Sequence, residues 1–320
     1  MLMEARRSPC FQVIFDVRTF ELTIGSVRVD LDDRRGSKSI ILTAVLSGGD
    51  SRALPLHGDL RRRGGARAAA ARGAHGDRDG RVARDRARDR GAPRLARRRR
   101  RPRLLLQPAQ AELLAAELNA GAGSGRAVSV RADVSDPAGA AALFDRAEAA
   151  FGRPAHVLVA SAGVLDPKYP ALADTDLADW DAAFAVNARG AFLCCRQAAR
   201  RLARGGGGRI IALSSSLVGV LRPGYAAYAA SKAATETMVR IMAKELKGTR
   251  ITANCVAPGP VATDMFFAGK SEELVQRIAA ENPMGRIGES TDIAPIIGFL
   301  CSDEAEWVNG QVIRANGGLV

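Results

Sequence analysis

The stretch RIIALSSSLVGVLRPGYAAYAASKAATETMVRIMAKEL, residues 209–246, decides the fold. It opens with a short apolar run that ends in three serines, as a strand buried on both faces does where it empties into a polar turn. A helical pattern then runs from Tyr225 to Leu246. The same strand–turn–helix unit recurs on either side. RAVSVRADV reads as a strand, with a helix through DPAGAAALFDRAEAAFG. HVLVASAG is the next strand, with a long helix from about Leu177 to Ala203. ITANCVAPG and QVIRANGG close the series as two more strands. Such alternation predicts a doubly wound parallel α/β sheet over residues 108–320. Each strand ends in a Gly, Ser or Pro turn, where ligands sit in sheets of this kind.

The chemistry gathers at those strand ends. Tyr228 and Lys232 stand four apart and so share one helix face. A phenol titrates near pH 10, and a lysine ammonium one turn away favours the phenolate and brings it toward working pH. Taken alone the pair is weak, since Tyr and Lys at this spacing are usually solvated. Ser215, thirteen residues before Tyr228, ends the strand feeding that helix, and its hydroxyl can hold a substrate oxygen while tyrosine transfers the proton. Asn187, in VNARG, lies inside an apolar helix, where a buried amide needs partners. It would serve either a proton-relay water to Lys232 or a structural bond to a neighbouring strand.

This set resembles the short-chain dehydrogenase/reductase family, in particular its 3-oxoacyl-reductase-like members, with a Rossmann-like sheet. The resemblance implies catalytic roles for Asn187, Ser215, Tyr228 and Lys232. Strand position and spacing select Ser215, whereas the run to Gly219 would favour Ser216. The resemblance also implies that Asp133 and Val134 meet the adenine. Ser161 and Gly163 stand in a partly kept Asn-Asn-Ala-Gly motif, and Pro258, Gly259, Val261 and Thr263 resemble the loop that fixes the nicotinamide. Tyr228 and Lys232 would also bind cofactor. The implied activity is hydride transfer between NADP or NAD, NADP being favoured, and a small carbonyl or alcohol substrate. Residues from Phe266 to Arg286 resemble a substrate lid, and the implied assembly is a homo-tetramer or homo-dimer built on the helices bearing Asn187 and Tyr228.

The first third of the 320 residues does not fit this plan. A dinucleotide site needs an opening βαβ unit whose glycines cradle the pyrophosphate, and no Thr-Gly-x-x-x-Gly-x-Gly string occurs. Residues 1–57 contain short β-like runs (FQVIFDV, SIILTAVL) without a usable motif and are expected to be an irregular N-terminal extension. Residues 58–107 are Arg-rich. Between Asp59 and Arg103 lie 18 arginines and 5 acids, which accounts for the whole net charge of +13. No aromatics there could stack on bases, so an Arg-rich nucleic-acid binder is the weaker alternative. Codons permitted for Gly76 through Arg86, read one base later, allow Ala-Ile-Val-Thr-Gly-Ala-Ser-Arg-Gly-Ile-Gly, a strand followed by the missing loop. The segment is therefore read as an out-of-frame replacement of the dinucleotide-binding unit, from before Gly76 to about Pro108. As written, the chain would bind cofactor poorly and leave a sheet edge bare. A catalytically dead scaffold is the other alternative. Five cysteines without metal or redox spacing suit a reducing compartment. With no secretory pattern and no bilayer-length apolar run, a cytoplasmic protein without a membrane partner is expected.

Overall fold

The computed structural model describes residues 10–17, 19–21, 30–32, 38–43, 108–120 and 126–320. The Arg-rich segment 58–107 and its proposed frame change lie outside the described residues. In chain order the strands are β1 (Cys10–Val17), β2 (Thr19–Glu21), β3 (Asp30–Asp32), β4 (Lys38–Thr43), β5 (Arg126–Ala132), β6 (Val157–Ala160), β7 (Arg209–Leu213), β8 (Thr252–Pro258) and β9 (Val312–Ala315). The helices are α1 (Pro108–Ala120), α2 (Pro137–Phe151), α3 (Leu177–Ala183), α4 (Ala191–Arg201), α5 (Leu217–Val220), α6 (Ala226–Glu245), α7 (Asp264–Phe267), α8 (Glu272–Glu281) and α9 (Ser290–Cys301). Strands β2 and β3 form a separate antiparallel pair.

The main sheet has the order β5-β1-β4-β6-β7-β8-β9. From β4 to β9 every pairing is parallel. Side chains alternate between two cores, as the twofold strand period requires. Leu158, Ile210, Ala212, Ala253 and Cys255 face one way, where Phe144 of α2, Leu193 of α4 and Val239 of α6 cover them. Val157, Val159, Ile211 and Val256 face the other way, against Ala111 of α1 and Ile293, Ile297 and Leu300 of α9. Helices on both faces make the sheet doubly wound and Rossmann-like.

Local chemistry explains where these elements start and stop. Asp136 caps α2 by accepting from Ala138 N at 3.2 Å, Pro137 opens it, and Gly152 ends it at φ 69°. Glu289 and Asp292 form a capping box at the start of α9. The long helix expected from Leu177 is α3 and α4 joined by a π-helical turn, Phe184–Gly190, with Asn187 inside it.

The structure departs from the sequence reading at the N-terminus. Within the stretch expected to be irregular, Cys10–Val17 and Lys38–Thr43 are strands of the main sheet. The edge expected to be bare is covered, because β4 runs parallel to β6 from Ile40↔Val157 to Thr43↔Ala160. The sheet is also not wholly parallel, since β1 is antiparallel to both β4 and β5. The backbone of edge strand β5 is met at Ala127 by the Asn119 amide, which donates to the carbonyl at 3.0 Å and accepts from the N–H at 2.8 Å. Among the described residues no helix is long and apolar enough to cross a membrane.

Candidate active site

Strands β6, β7 and β8 end side by side, and α6 rises behind them. The three serines after β7 are separated by their partners. Ser214 Oγ donates to Glu236 Oε1 at 2.5 Å, and Ser216 Oγ donates to Ala257 O at 3.1 Å. Ser215 Oγ accepts from Leu217 N at 3.2 Å and is the serine whose hydroxyl meets that of Tyr228.

Tyr228 and Lys232 lie on one face of α6, with Lys232 Nζ 5.8 Å from the Tyr228 ring centroid. Lys232 is 3% exposed and donates to Leu213 O at 2.7 Å. Burial pushes the Tyr228 phenol up to about 12, against a smaller lowering by the Ser215 bond. Burial also takes the Lys232 ammonium down to about 8. This reverses the sequence expectation that the ammonium carries the phenol toward neutrality. The ammonium turns to a backbone carbonyl rather than the phenol oxygen, and desolvation outweighs the attraction.

Asn187 is 1% exposed. Its Oδ1 accepts from Val164 N at 2.7 Å, and its Nδ2 donates to Val164 O and to Ser231 Oγ, both at 3.0 Å. Both amide hydrogens are thus engaged, and the side chain bolts the loop after β6 to α6. Its backbone carbonyl accepts from Thr235 Oγ1 at 3.0 Å. Ser231 Oγ in turn donates to Tyr228 O at 2.7 Å. The sequence reading missed Ser231 and Thr235. Their signal was their place on the Tyr228–Lys232 helix, close to the face that meets the π-turn.

The remaining candidates end or follow β5, β6 and β8. Asp133 follows β5, and its Oδ1 accepts from Ser135 N at 2.8 Å and Ser135 Oγ at 2.6 Å. Val134 is buried against Gly190, where a Cβ would lie 2.9 Å from its Cγ2. Its side chain therefore packs into the helix layer. Ser161 and Gly163 follow β6. Pro258 O accepts from Ser216 N at 2.9 Å, and Gly259 N donates to Ala315 O at 2.9 Å. Gly259 passes so close to β9 that a Cβ would meet Asn316 Cα at 2.9 Å. Val261 bridges to Gly288, and Thr263 caps α7 by accepting from Phe266 N at 3.3 Å. The structure thus gathers Ser215, Tyr228, Lys232, Asn187 and Gly163 closely, with Asp133 after β5 and the 258–263 loop at the end of β8.

A nicotinamide nucleotide suits part of this surface. At Gly163 a Cβ would come within 3.3 Å of Lys232 Nζ and 3.4 Å of Asn187 Oδ1, so bare backbone leaves the lysine approachable. The Lys232 ammonium and Tyr228 hydroxyl are the donors a ribose diol needs.

Residues 103–320 match the family described as enoyl-(acyl carrier protein) reductase. An NADPH-dependent aldehyde reductase-like protein, chloroplastic, of Arabidopsis thaliana is 59% identical over 220 residues, 66% of this chain and 81% of the relative. A short-chain type dehydrogenase/reductase of Picea abies is 61% identical over 195 residues, 61% of this chain and 72% of the relative. NADPH-dependent aldehyde reductase 2, chloroplastic, of Arabidopsis thaliana is 56% identical with the same coverage.

Proposed function

The chain belongs to the short-chain dehydrogenase/reductase family, and on that premise we propose that it reduces a small aldehyde or ketone, with NADPH as hydride donor. Membership makes it an NAD(P)-dependent oxidoreductase. The finer reading of cofactor and substrate is supported by the two Arabidopsis relatives, both named for NADPH-dependent aldehyde reduction.

Bound NADPH supplies the hydride that the carbonyl carbon receives. Ser215 Oγ holds the substrate oxygen, and Tyr228 Oη delivers the proton that completes the alcohol. A phenol held near 12 is protonated at neutral pH, which suits a proton donor in the reducing direction. Lys232 Nζ, fixed by Leu213 O, presents its remaining hydrogens toward the ribose hydroxyls. Asn187 and Ser231 hold the loop after β6 against the Tyr228 turn. Asp133 faces the adenine side, while Gly163, Pro258, Gly259, Val261 and Thr263 supply backbone close to the nicotinamide end.

The observation that carries this reading is the sorting of the serines, with Ser215 left to meet Tyr228 above a buried Lys232. Tyr228→Phe should lower turnover of an aromatic aldehyde by about 10²–10⁴-fold. A variant that kept a tenth of the wild-type rate would overturn the assignment.

We also propose that the 320-residue chain holds NADPH weakly, because its sequence lacks the pyrophosphate-binding glycine string. The messenger RNA between the codons for Leu56 and Glu112 would then read in the shifted frame. Sequencing that transcript tests the frame, and tight NADPH binding by the chain as written would sink the first claim. Self-association through the helices bearing Asn187 and Tyr228 is supported by exposed Leu177, Phe192 and Ile241 nearby, and sedimentation measures it. A reducing compartment is supported by the described cysteines Cys194, Cys195, Cys255 and Cys301, which are buried thiols outside any disulfide. Cell fractionation distinguishes cytoplasm, our proposal, from chloroplast, the word carried by the Arabidopsis relatives.

A further inference from the structure

Lys270 is an unusual cation for a surface segment. Its ammonium donates to Tyr169 Oη at 2.5 Å and to Phe266 O at 2.6 Å. It lies 4.4 Å from the Tyr169 ring centroid, 4.8 Å from that of Phe266 and 5.9 Å from that of Tyr225. Among the described residues no carboxylate pairs with it. Burial, with Arg222 nearby, takes it down to about 8. A lysine whose only purpose was solubility would extend into water. This one is folded back into an aromatic cage.

The cage joins three segments that are far apart in sequence. Tyr169 belongs to the loop after β6 and sits at φ 50°, a left-handed conformation that is uncommon for a tyrosine. Its hydroxyl donates to Ala268 O at 2.7 Å. Its ring lies 5.0 Å from that of Tyr225, the residue that opens α6 three positions before Tyr228. Two glycines seal the joint. A Cβ at Gly269, φ 71°, would stand 2.2 Å from Pro167 O, and one at Gly224, φ 85°, would stand 3.0 Å from Tyr169 O. The segment so fastened, from Asp264 to Lys270, follows Thr263 directly and carries Phe266 and Phe267. Arg222 and Glu281 form a second tie, from the loop before α6 to the end of α8.

We propose that Lys270 and Tyr169 are positioning residues that latch the Asp264–Lys270 segment across the carbonyl site, setting the affinity for the carbonyl substrate without touching the reacting atoms. The proposal rests on the reductase reading for its kinetic consequence but not for its structural one. Tyr169→Phe keeps the ring and removes both hydroxyl bonds, and Lys270→Met keeps the length and removes the charge.

Two measurements on the full chain test it. In limited chymotrypsin digestion, cleavage after Phe266 or Phe267 should speed up about tenfold in either variant, the loss expected from one or two hydrogen bonds, with the thermal midpoint nearly unchanged. In steady-state reduction of benzaldehyde by NADPH, KM for the aldehyde should rise about tenfold while kcat stays within about twofold. Lys270→Arg, which keeps the charge and the donors, should recover part of both effects. Unchanged cleavage in both variants, or a fall in kcat with KM unmoved, overturns the latch. Should the wild-type chain show no turnover even at NADPH concentrations that saturate it, the reductase reading fails for this chain while the cleavage rates still decide the latch.

Discussion

Replacing Lys232 with Met should make the folded protein more stable at neutral pH and less stable in strong base. Lys232 is 3% exposed, and burial lowers its ammonium from 10.5 to about 8. At 1.36 kcal/mol per pH unit, holding the charge at pH 7 costs about 3 kcal/mol relative to the unfolded chain. The variant escapes that cost but leaves Leu213 O without its donor, a loss of about 1–2 kcal/mol. The net expectation is a gain of about 1–2 kcal/mol at pH 7. The sign changes with pH, because the folded pKa lies below the unfolded one. Between about 8 and 10.5 the unfolded wild type binds more protons, so its stability rises with pH while that of the variant does not. Above 10.5 the lysine is neutral in both states, and the variant then lacks only the hydrogen bond. Tyr228 contributes to both chains alike and drops out of the comparison. Urea unfolding of the two chains at pH 7, 9 and 10.5 measures the crossover, and turnover should be lost at every pH. A stability difference independent of pH, or a wild type more stable at pH 7, refutes the view that Lys232 is a strained cation.

Ser215→Ala should lower turnover about a hundredfold, whereas Ser216→Ala, which loses only its bond to Ala257 O, should stay within a few-fold of wild type; the reverse result would move the substrate oxygen to Ser216. Asn187→Ala removes three hydrogen bonds from a buried site and should cost about 2–4 kcal/mol in urea unfolding. A cost below 1 kcal/mol would mean that the π-turn stands without it. Gly163→Ala puts a methyl 3.3 Å from Lys232 Nζ, a contact the flexible lysine can yield to. Folding should survive, and the NADPH dissociation constant should rise about tenfold by fluorescence titration; an unchanged constant would place the ribose elsewhere.

The catalytic half was legible because its signals are local. Ile210 and Ile211 sit in one uninterrupted apolar run, and only a strand covered on both faces sends them to two separate cores. Tyr228 and Lys232 declared their common face by spacing alone. What stayed hidden depends on partners distant in sequence. Nothing in residues 10–17 or 38–43 names β5, β4 or β6 as neighbours, because backbone pairing is indifferent to side-chain identity. Helices α1 and α9 escaped notice too, one for its alanine-rich monotony and the other for the Pro295 inside it. Asn187 was recognised as buried, but its partners could not be named until Val164 and Ser231 came to rest beside it. Lys270 read as one more charged lid residue until Tyr169, 101 positions earlier, closed over it.

The reversed direction of β1 has an architectural result. Its register places Cys10 beside Ala132 and Asp16 beside Arg126, so it begins where β5 ends. Six strands of the sheet deliver their outgoing chain to the edge where Ser215 and Gly259 lie, while β1 delivers its own to the opposite edge. Ligand crevices in such sheets are walled by outgoing loops. Between the ends of β5 and β4, at Asp133 and Thr43, the strand that stands there therefore enters the sheet rather than leaving it.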